Sequence, residues 1–547
     1  MLPVLFDDEH YLVIDKPAGL AVESPTSRRT DDLVSMLPRL LAATGRDRPA
    51  ADGTGWRAVE RVDRFASGLV TFARSEEAAA ALAERLSAPT ARNRYLAVVR
   101  GRVKPRHLVE PPRAGKGQAA ARPRPTKTGA AGVSLGLRVL RSKNNLSLVT
   151  FEAPTASEAD LRRKLFMMGV PVLGDVRYSR RRDRRQSGRY FLHRAGFSVY
   201  HPFDRRMLVV DSPRPAAFDA VVLGQPVVGE HLRTALASRL PCLLDAGTDS
   251  YRLITGQYEG VPGLVAQRYG PVVLLEPQQG KFQGGADLLR HIGQWYARTL
   301  GVTSVYASDA PKDRSRQSGA KQSARLWQKP VIGAHGNEEY VIRENGLRFL
   351  VRPFEGFNVG LFLDQRENRR RVRELAANRQ VLNLFAYTCG FSVAAAAGGA
   401  TAVTSVDQQK SRLEQGKVNF GLNGLPLDGH WFICSEAFEY FTRARRQSKQ
   451  FDLIILDPPT FARSKKPQRA FRVEADLRRL IEEALTVLTS RGLMLISTNS
   501  RRASKRWLSA QVAGAAGSRR FTTSELPLPV DFAVDRDHAK SLIVRFT

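Results

Sequence analysis

The sequence predicts a multidomain protein with a mixed α+β N-terminal domain, a small α/β middle domain and a C-terminal α/β domain. Its 547 residues are several times the roughly 150 of a typical domain. The first part consists mainly of short strand-like segments separated by Gly, Pro and Asp, whereas strand and helix patterns alternate in the last part. This alternation predicts a parallel sheet with helices on both faces. The predicted domains are residues 1–220, 221–354 and 355–547.

Two stretches carry more specific structural predictions. The segment DSPRPAAFDAVVLGQP, residues 211–226, contains three prolines and predicts a linker after the first domain. The segment EADLRRLIEEALTVLTSRG, residues 474–492, predicts one long helix closed by its final glycine.

The net charge indicates the class of partner. Lys and Arg number 85 against 53 Asp and Glu, which leaves +32. Such an excess favours a polyanion, RNA or DNA being the commonest. Three basic loops, residues 113–132, 179–189 and 312–329, are suited to phosphate contacts, although each taken alone could be solvated surface.

Composition also excludes several classes of protein. The chain has no apolar run of about 18 residues, which disfavours a membrane span. The acidic start MLPVLFDDEH is unlike a signal peptide, so we expect a cytoplasmic location. The three cysteines lie far apart, which argues against a disulfide framework or a zinc site, and we expect no metal.

Polar residues follow the predicted strands of the last domain. Parallel sheets bind ligands at the carboxyl ends of their strands. The first strand runs through Asn383 into a turn without GxGxxG, so no pyrophosphate cradle is predicted. The second ends in Asp407, the third leads to Glu436 and the fourth ends in Asp457. A single carboxylate after a strand is often only the N-cap of the next helix, but the series predicts a ligand site.

The segments GLFLDQRENRR, VLNLFAYTCGFSVAAAAGGATAVTSVDQQK, VNFGLNG and FDLIILDPPTFARSKK cover nearly all of residues 355–500. They resemble class I S-adenosylmethionine (SAM)-dependent methyltransferases, which have a Rossmann-like fold. They resemble more closely the bacterial 23S ribosomal RNA methyltransferases of the guanine-N7 and cytosine-C5 branch. YRLITGQYEGVPGLVAQRYG resembles the middle domain of these enzymes. The resemblance implies SAM as cofactor and large-subunit ribosomal RNA, or its assembly intermediates, as partner.

The resemblance also implies roles for individual residues. The NLFxYTxG turn would wrap the methionine part of SAM, Asp407 would hold the ribose hydroxyls and Glu436 the adenine. Asp457 would be a catalytic residue and would line the base pocket with Pro459 and Phe461. Phe461 could stack on the extruded base or be an ordinary core residue. The implied cofactor-binding residues are Asp364, Arg366, Asn383, Phe385, Tyr387, Thr388, Gly390, Asp407, Glu436, Asp457 and Pro458.

The positions of the cysteines limit which atom of the base can be methylated. Methylation at C5 of a pyrimidine needs a cysteine thiolate that adds at C6. The segment after the fifth strand, where the C5 branch carries that cysteine, reads STNS, and Cys389 and Cys434 fall in the cofactor turns. Guanine N7 already carries a lone pair and needs only positioning, so it is favoured. An exocyclic amine is a weaker option, because Thr460 separates Pro459 from the aromatic residue usual there.

The segments LVIDKPAGLAVESP, VERVDRFASGLVTFARS, RNRYLAVVRG and LRRKLFMMGVPVLGDVRYS resemble the RluA-type pseudouridine synthase family over most of residues 1–218. The resemblance implies that Asp63 is the catalytic carboxylate, that Tyr95 packs on the uracil and that Arg162 pairs with Asp63. Arg61 would contact the substrate. Such a reaction needs no metal or cofactor.

This half also departs from the family pattern. Glu60 replaces a histidine and would bring a second carboxylate near Asp63, which could raise its pKa or repel phosphate. TASEADLR replaces the family's TGRxHQIR.

The leading hypothesis is therefore a ribosomal RNA methyltransferase fused to a pseudouridine synthase. One alternative is a methyltransferase with an inactive, RNA-binding synthase-like module. Another is a non-catalytic, RNA-binding ribosome assembly factor. Methylation of a small molecule is a poorer hypothesis, because it leaves the charge of +32 unexplained.

Overall fold

The computed structural model describes residues 2–23, 32–42, 45, 55–103, 135–153, 158–175, 177–178, 189–278, 280–307, 330–336, 339–353, 359–462, 471–535 and 537–547. Apart from Arg189, the three predicted basic loops lie outside the described residues. The described part of the chain contains no helix that is both long and apolar enough to cross a membrane.

The chain forms two compact units. Unit 1 comprises Met1–Leu244, Gly256–Leu264 and Gly280–Gln283. Unit 2 comprises Asp245–Thr255, Val265–Gln279 and Gly284–Thr547. The domain boundaries predicted at residues 220 and 354 stay a prediction.

Unit 1 is built on a nine-stranded mixed sheet, as the predicted α+β class requires. Its strands are β1 (Val4–Asp7), β2 (Tyr11–Lys16), β3 (Arg57–Ala58), β4 (Ser67–Ala73), β5 (Arg92–Arg100), β6 (Arg138–Lys143), β7 (Leu146–Glu152), β8 (Leu192–Tyr200) and β9 (Met207–Asp211). Its helices are α1 (Leu33–Ala42), α2 (Glu76–Ser87), α3 (Glu158–Met167), α4 (Ala216–Leu223), α5 (Val228–Ala237), α6 (Leu240–Leu243) and a 3-10 turn, Gly256–Glu259. The sheet order is β1-β2-β4-β8-β5-β7-β6, and only β4 and β8 pair in parallel along it.

The segment predicted as a linker instead contains helix α4. Its Ala217, Phe218 and Val222 are buried at helical spacing. The two prolines at 213 and 215 precede the helix, where proline is tolerated. Gly224 ends the helix with a left-handed φ of 75°. The linker prediction was wrong because the apolar stripe outweighs the prolines.

Unit 2 holds three further sheets and a two-stranded ribbon. Its strands are β10 (Ser250–Thr255), β11 (Leu264–Tyr269), β12 (Val272–Pro277), β13 (Ser304–Ala307), β14 (Pro330–Gly333), β15 (Tyr340–Glu344), β16 (Leu347–Val351), β17 (Gln380–Leu384), β18 (Ala402–Asp407), β19 (His430–Cys434), β20 (Phe451–Leu456), β21 (Phe461–Ala462), β22 (Phe471–Arg472), β23 (Leu488–Thr498), β24 (Phe521–Leu526) and β25 (Lys540–Phe546). Its helices are α7 (Gly285–Leu300), a 3-10 turn (Leu363–Gln365), α8 (Arg366–Leu375), α9 (Gly390–Ala397), α10 (Lys410–Leu422), α11 (Ala437–Arg446), α12 (Val473–Leu485) and α13 (Lys505–Ala516).

The seven-stranded sheet of unit 2 has the order β19-β18-β17-β20-β23-β25-β24. The first five strands are parallel, and β25 runs antiparallel to both neighbours. Helices α12 and α13 contribute to the core on one face, and α8 and α9 to the core on the other. The predicted parallel, helix-covered sheet is confirmed. Strand order reverses at β17, and such a switch point opens a crevice at the carboxyl ends of the strands.

The long helix predicted for residues 474–492 was too long. Helix α12 ends at Leu485, and β23 begins at Leu488. The pairing of β20 with β23 jumps from Phe451↔Leu488 to Leu453↔Leu493, so the intervening residues form a bulge. The buried side chains of Val487 and Leu488 favour the sheet over continuation of the helix.

Candidate functional sites

The turn after β17 has a strained backbone. Phe385, Tyr387 and Cys389 have φ values of 58°, 49° and 61°. The left-handed region costs an L-residue about 1–2 kcal/mol, so three such residues in one turn must be held by their surroundings. Thr388 Oγ1 donates to the carbonyl of Gly360 at 2.6 Å. Left-handed backbone of this kind concentrates at functional sites.

Asp407, the last residue of β18, holds this turn. Its Oδ2 accepts the backbone N–H of Tyr387 at 2.8 Å, and its Oδ1 accepts that of Gln409 at 2.9 Å. Burial raises the pKa of Asp407 above its ordinary value, although these backbone donors oppose the rise. The structure thus brings Asp407 and the predicted Tyr387 turn together.

Glu436 is the N-cap of α11. Its Oε2 accepts the backbone N–H groups of Phe438 at 2.8 Å and Glu439 at 3.1 Å. Glu436 therefore does cap the next helix, which was the alternative to a ligand contact for a carboxylate after a strand. Glu436 still follows the end of β19 by two residues, and the preceding Ser435 donates its N–H to the carbonyl of Asp407, the last residue of β18. Its contact with adenine stays a prediction.

Asn383 lies on β17 at the start of the turn. Its Nδ2 donates to Ser392 Oγ at 2.8 Å, and its Oδ1 is buried without a hydrogen-bond partner among the described residues. Gly390 opens α9, where an added Cβ would lie 3.1 Å from Leu361 Cδ1. A tight turn held by the Asp407 carboxylate, with the unused acceptor of Asn383 before it, has the donor and acceptor chemistry that suits a nucleoside cofactor bearing an amino group.

Asp457 follows β20, next to the switch point. Gln365 Nε2 donates to Asp457 Oδ1 at 3.1 Å and lies 2.9 Å from Ser497 Oγ. Burial and the nearby charge of Asp364 raise the pKa of Asp457 to about 7. Gln365 was not predicted as a site residue, although it lies between Asp364 and Arg366, which were.

Asp364 and Arg366, the two residues of GLFLDQR predicted to bind the cofactor, have different surroundings. His538 Nε2 lies 3.2 Å from Asp364 Oδ2. Although burial opposes it, this hydrogen bond keeps the pKa of Asp364 below its ordinary value. Arg366 is buried in an ion pair with the buried Asp531, and its Nη1 lies 3.4 Å from the carbonyl of Ser250. The charge of Arg366 is thus matched inside the protein.

The segment after Asp457 opens to solvent. Pro458 is buried, whereas Pro459 is exposed. Phe461 is 49% exposed on the short strand β21, so the alternative of an ordinary core residue was wrong. Thr460 Oγ1 donates to Asn499 Oδ1 at 2.7 Å, which joins this segment to the end of β23.

The cysteines give no nucleophile at the end of β23. Cys389 is buried under the turn, and burial raises the pKa of its thiol to about 12. Cys434 is exposed at the end of β19 with its Sγ 3.4 Å from the carbonyl of Gln408. Cys242 is buried in unit 1.

In unit 1, Asp63 and Arg162 meet as predicted from the resemblance. Arg162 Nη2 lies 3.2 Å from Asp63 Oδ2, and its Nη1 lies 3.0 Å from the buried Asp175. The guanidinium also stacks 4.2 Å from the ring of Tyr190. Asp63 Oδ1 accepts the N–H of Phe65 at 3.0 Å, so the carboxylate has a fixed orientation.

The backbone of Asp63 is held by two buried residues. Glu158 Oε2 accepts the N–H of Asp63 at 2.6 Å. Lys16 Nζ donates to the carbonyls of Ala66 at 2.7 Å and Asp63 at 3.2 Å. Burial raises the pKa of Glu158 to about 7 and lowers that of Lys16 to about 7. Neither residue was predicted as part of the site. Lys16 lies in the DKPAG segment that resembles the synthase family, and Glu158 lies in the TASEADLR segment that departs from the family pattern.

Glu60, the second carboxylate expected near Asp63, has a partner of its own. Glu60 forms an ion pair with the buried Arg194, which neutralises it. The carboxylate hydrogen-bonded to the backbone of Asp63 is that of Glu158.

Tyr95 and Arg61 border one cavity of unit 1. The Tyr95 ring is buried and stacks on Phe151 at a centroid distance of 5.7 Å. Arg61 is largely exposed and lies 3.5 Å from Glu23. Both line a cavity of about 250 Å³, together with Glu158. The structure therefore brings these two predicted residues to the same cavity.

One group of possible metal ligands occurs among the described residues. Asp8, His201 and Asp204 each offer an atom within 4.8 Å of the others. His201 Nδ1 accepts the backbone N–H of Asp204 at 3.0 Å, and its Nε2 lies 3.1 Å from Asp8 Oδ2. These contacts serve the turn that joins β8 to β9.

Two families match the chain. Residues 320–545 match the S-adenosylmethionine-dependent methyltransferases, and residues 10–165 match the RNA pseudouridylate synthases. A crystal structure assigned as a methyltransferase complexed with S-adenosylhomocysteine superimposes with a TM-score of 0.51 at 25% identity, covering 71% of this chain and 98% of that one.

Two curated relatives are similar in sequence. A ribosomal RNA large subunit methyltransferase of Deinococcus radiodurans is 32% identical over 314 residues, covering 55% of this chain and 72% of the relative. Ribosomal RNA large subunit methyltransferase K of Neisseria meningitidis is 36% identical over 212 residues, covering 38% of this chain and 58% of the relative. The chain thus spans less than two thirds of the Neisseria relative.

Proposed function

Because the chain belongs to the family of ribosomal RNA large subunit methyltransferases, we propose that unit 2 transfers a methyl group from SAM to a base of large-subunit ribosomal RNA. The observation that carries the proposal is the site at the switch point. There, Asp407 fixes a strained turn beside the unused acceptor of Asn383.

The residues of this site fit SAM. The carboxylate of Asp407 can accept the two ribose hydroxyls through the lone pairs left by its backbone donors. Glu436 can accept the adenine amine, and the turn from Phe385 to Thr388 can enclose the methionine part. When bound, SAM supplies an electrophilic methyl group.

On the substrate side, the chain positions the base. Phe461, half exposed beyond Asp457, offers a face on which an extruded base can stack. Gln365 orients the Asp457 carboxylate at the edge of the crevice. Orientation of this kind is the main requirement for transfer to an atom that already holds a lone pair.

Guanine N7 is the atom that we favour. Methylation at C5 of a pyrimidine requires a thiolate that adds at C6. Cys389 is buried, and its thiol has a raised pKa. Methylation at N7 releases no proton from the base but gives it a positive charge. A carboxylate at Asp457 would stabilise that charge.

For unit 1 we propose pseudouridine formation with Asp63 as the catalytic carboxylate. Its contact with Arg162 and its hydrogen bond from the backbone N–H of Phe65 support this role, since both orient the carboxylate. The alternative is a unit that only binds RNA. The basic composition suits either role, and the partner in both is RNA.

The test uses the full chain, labelled SAM and purified ribosomal RNA. We expect label to enter large-subunit RNA, or its assembly particles, and not small-subunit RNA. Calorimetry on the same preparation measures SAM affinity. No affinity for SAM and no transfer to either RNA would favour the non-catalytic assembly factor.

A further inference from the structure

A second cavity, of about 430 Å³, lies in unit 2 at the carboxyl ends of β20 and β23. It begins three residues after Asp457 and is lined by Thr460, Phe461, Arg472, Glu474 and Asn499, with Ser500 and two arginines after it. Among the described residues that line it, Glu474 is the one acidic side chain. A single carboxylate among three arginines and an aromatic ring is the composition of a nucleotide site rather than of an apolar pocket.

Glu474 is fixed in place by its neighbours. It lies in the first turn of α12, and its Oε1 accepts the hydroxyl of the buried Ser500 at 2.6 Å. The hydroxyl of Ser500 also accepts the N–H of Arg502 at 3.3 Å. Asn499 Oδ1 accepts the hydroxyl of Thr460 at 2.7 Å. The carboxylate is therefore oriented before any ligand arrives, which lowers the entropic cost of binding.

The chemistry of the bases singles out one partner for such a carboxylate. Guanine carries two adjacent donors, N1–H and the N2 amino group, on its Watson–Crick edge. Adenine and cytosine each offer one amino group there, and uracil offers one N–H between two carbonyl oxygens. An acceptor-only group can thus take two parallel hydrogen bonds from guanine alone.

We propose that this cavity binds the guanine of the target nucleotide, with Glu474 accepting hydrogen bonds from N1–H and the N2 amino group. This inference rests on the proposed function of unit 2 and specifies its substrate. A guanine held by its Watson–Crick edge has its N7 on the opposite side of the ring. Glu474 therefore selects guanine and occupies the N2 amino group, while N7 stays available.

Mononucleotide binding to the full chain tests this inference without methylation. Guanosine, inosine, adenosine and uridine 5′-monophosphates are titrated, and affinities are measured by NMR. We expect guanosine monophosphate to bind about 10-fold more tightly than the adenosine and uridine compounds. Inosine monophosphate lacks the amino group and should fall in between. Glu474→Gln should remove these differences.

Glu482→Gln is the matched control, because Glu482 lies on the same helix in an ion pair with Arg478 and does not line the cavity. Equal binding of all four nucleotides by the wild type, or unchanged selectivity in Glu474→Gln, overturns the inference. Methylation of RNA is assayed in parallel. Guanine methylation that Glu474→Gln does not affect also overturns this inference alone, whereas absent methylation with intact selectivity overturns only the proposed function.

Discussion

The Oδ2 atom of Asp407 lies 2.8 Å from the backbone nitrogen of Tyr387, so one carboxylate holds the strained turn and borders the proposed cofactor site. Replacing Asp407 by alanine removes the acceptor of two backbone N–H groups as well as the predicted ribose contact. We expect SAM affinity to fall by at least about 10- to 100-fold, since even one hydrogen bond to a charged group contributes about 1.5–3 kcal/mol.

Calorimetry measures this effect. Asp407→Asn should lose less affinity, because its amide oxygen keeps one acceptor. Asp428→Ala removes an exposed aspartate between α10 and β19 and serves as the control. Unchanged SAM affinity in Asp407→Ala would rule out this residue as a cofactor contact.

The raised pKa of Asp457 predicts a pH dependence of methylation. With a pKa of about 7, the carboxyl group is mostly neutral at pH 6 and mostly charged at pH 8. Because the charged form would stabilise the cationic product base, we expect kcat to rise between these pH values. Asp457→Asn should be slower by about 10-fold or more and should lack the rise. An Asp457→Asn profile as steep as that of the wild type would contradict this role.

The two proposed activities should separate by mutation. Asp63→Ala should abolish pseudouridine formation, since it removes the proposed catalytic carboxylate, and leave methylation unchanged. Asp160→Ala, which changes an aspartate of α3 paired with Arg163, is the control. Nucleoside analysis of the treated RNA measures both products. Pseudouridine that persists in Asp63→Ala would contradict the assignment.

Buried Glu158 predicts a pH-dependent stability of unit 1. Its pKa is raised in the folded state, so the unfolded chain loses this proton first as pH rises above about 4.5. The contribution of Glu158 to stability therefore falls between pH 4.5 and 7. Glu158→Gln removes this titration, so its stability relative to the wild type should increase from pH 5 to pH 8, by about 1–3 kcal/mol.

Hydrogen exchange of the segment around Asp63, at both pH values, reports this difference locally. Glu152→Gln, at an exposed position on β7, is the control for loss of a charge. A relative stability that stays constant with pH would show that Glu158 does not titrate in this range.

Much of the fold, and the places of several candidate residues in it, follow from sequence alone. The positions of Asp407, Glu436 and Asp457 after successive strands were predictable, because parallel strands end at one edge. The half-buried state of Phe461 was not, since a lone aromatic residue after a strand has no periodicity that reports exposure. The end of α12 was missed because a bulge, which depends on pairing with β20, decides where β23 begins.

Residues that act through tertiary contacts could not be predicted. Lys16 and Glu158 are 142 positions apart and meet only at the loop of Asp63. The pairing of Glu60 with the buried Arg194 is likewise a contact that only the fold brings about. Gln365 is a polar residue among polar residues, and only the fold reveals its contact with Asp457.

A nucleoside digest measures the proposed methylation and the proposed uridine isomerisation together. Large-subunit RNA from a strain that lacks this gene is incubated with the pure protein and SAM, digested, and separated by chromatography and mass spectrometry. We expect new 7-methylguanosine together with new pseudouridine. The absence of any new methylated nucleoside, in RNA and in assembled particles alike, would show that unit 2 does not methylate this RNA.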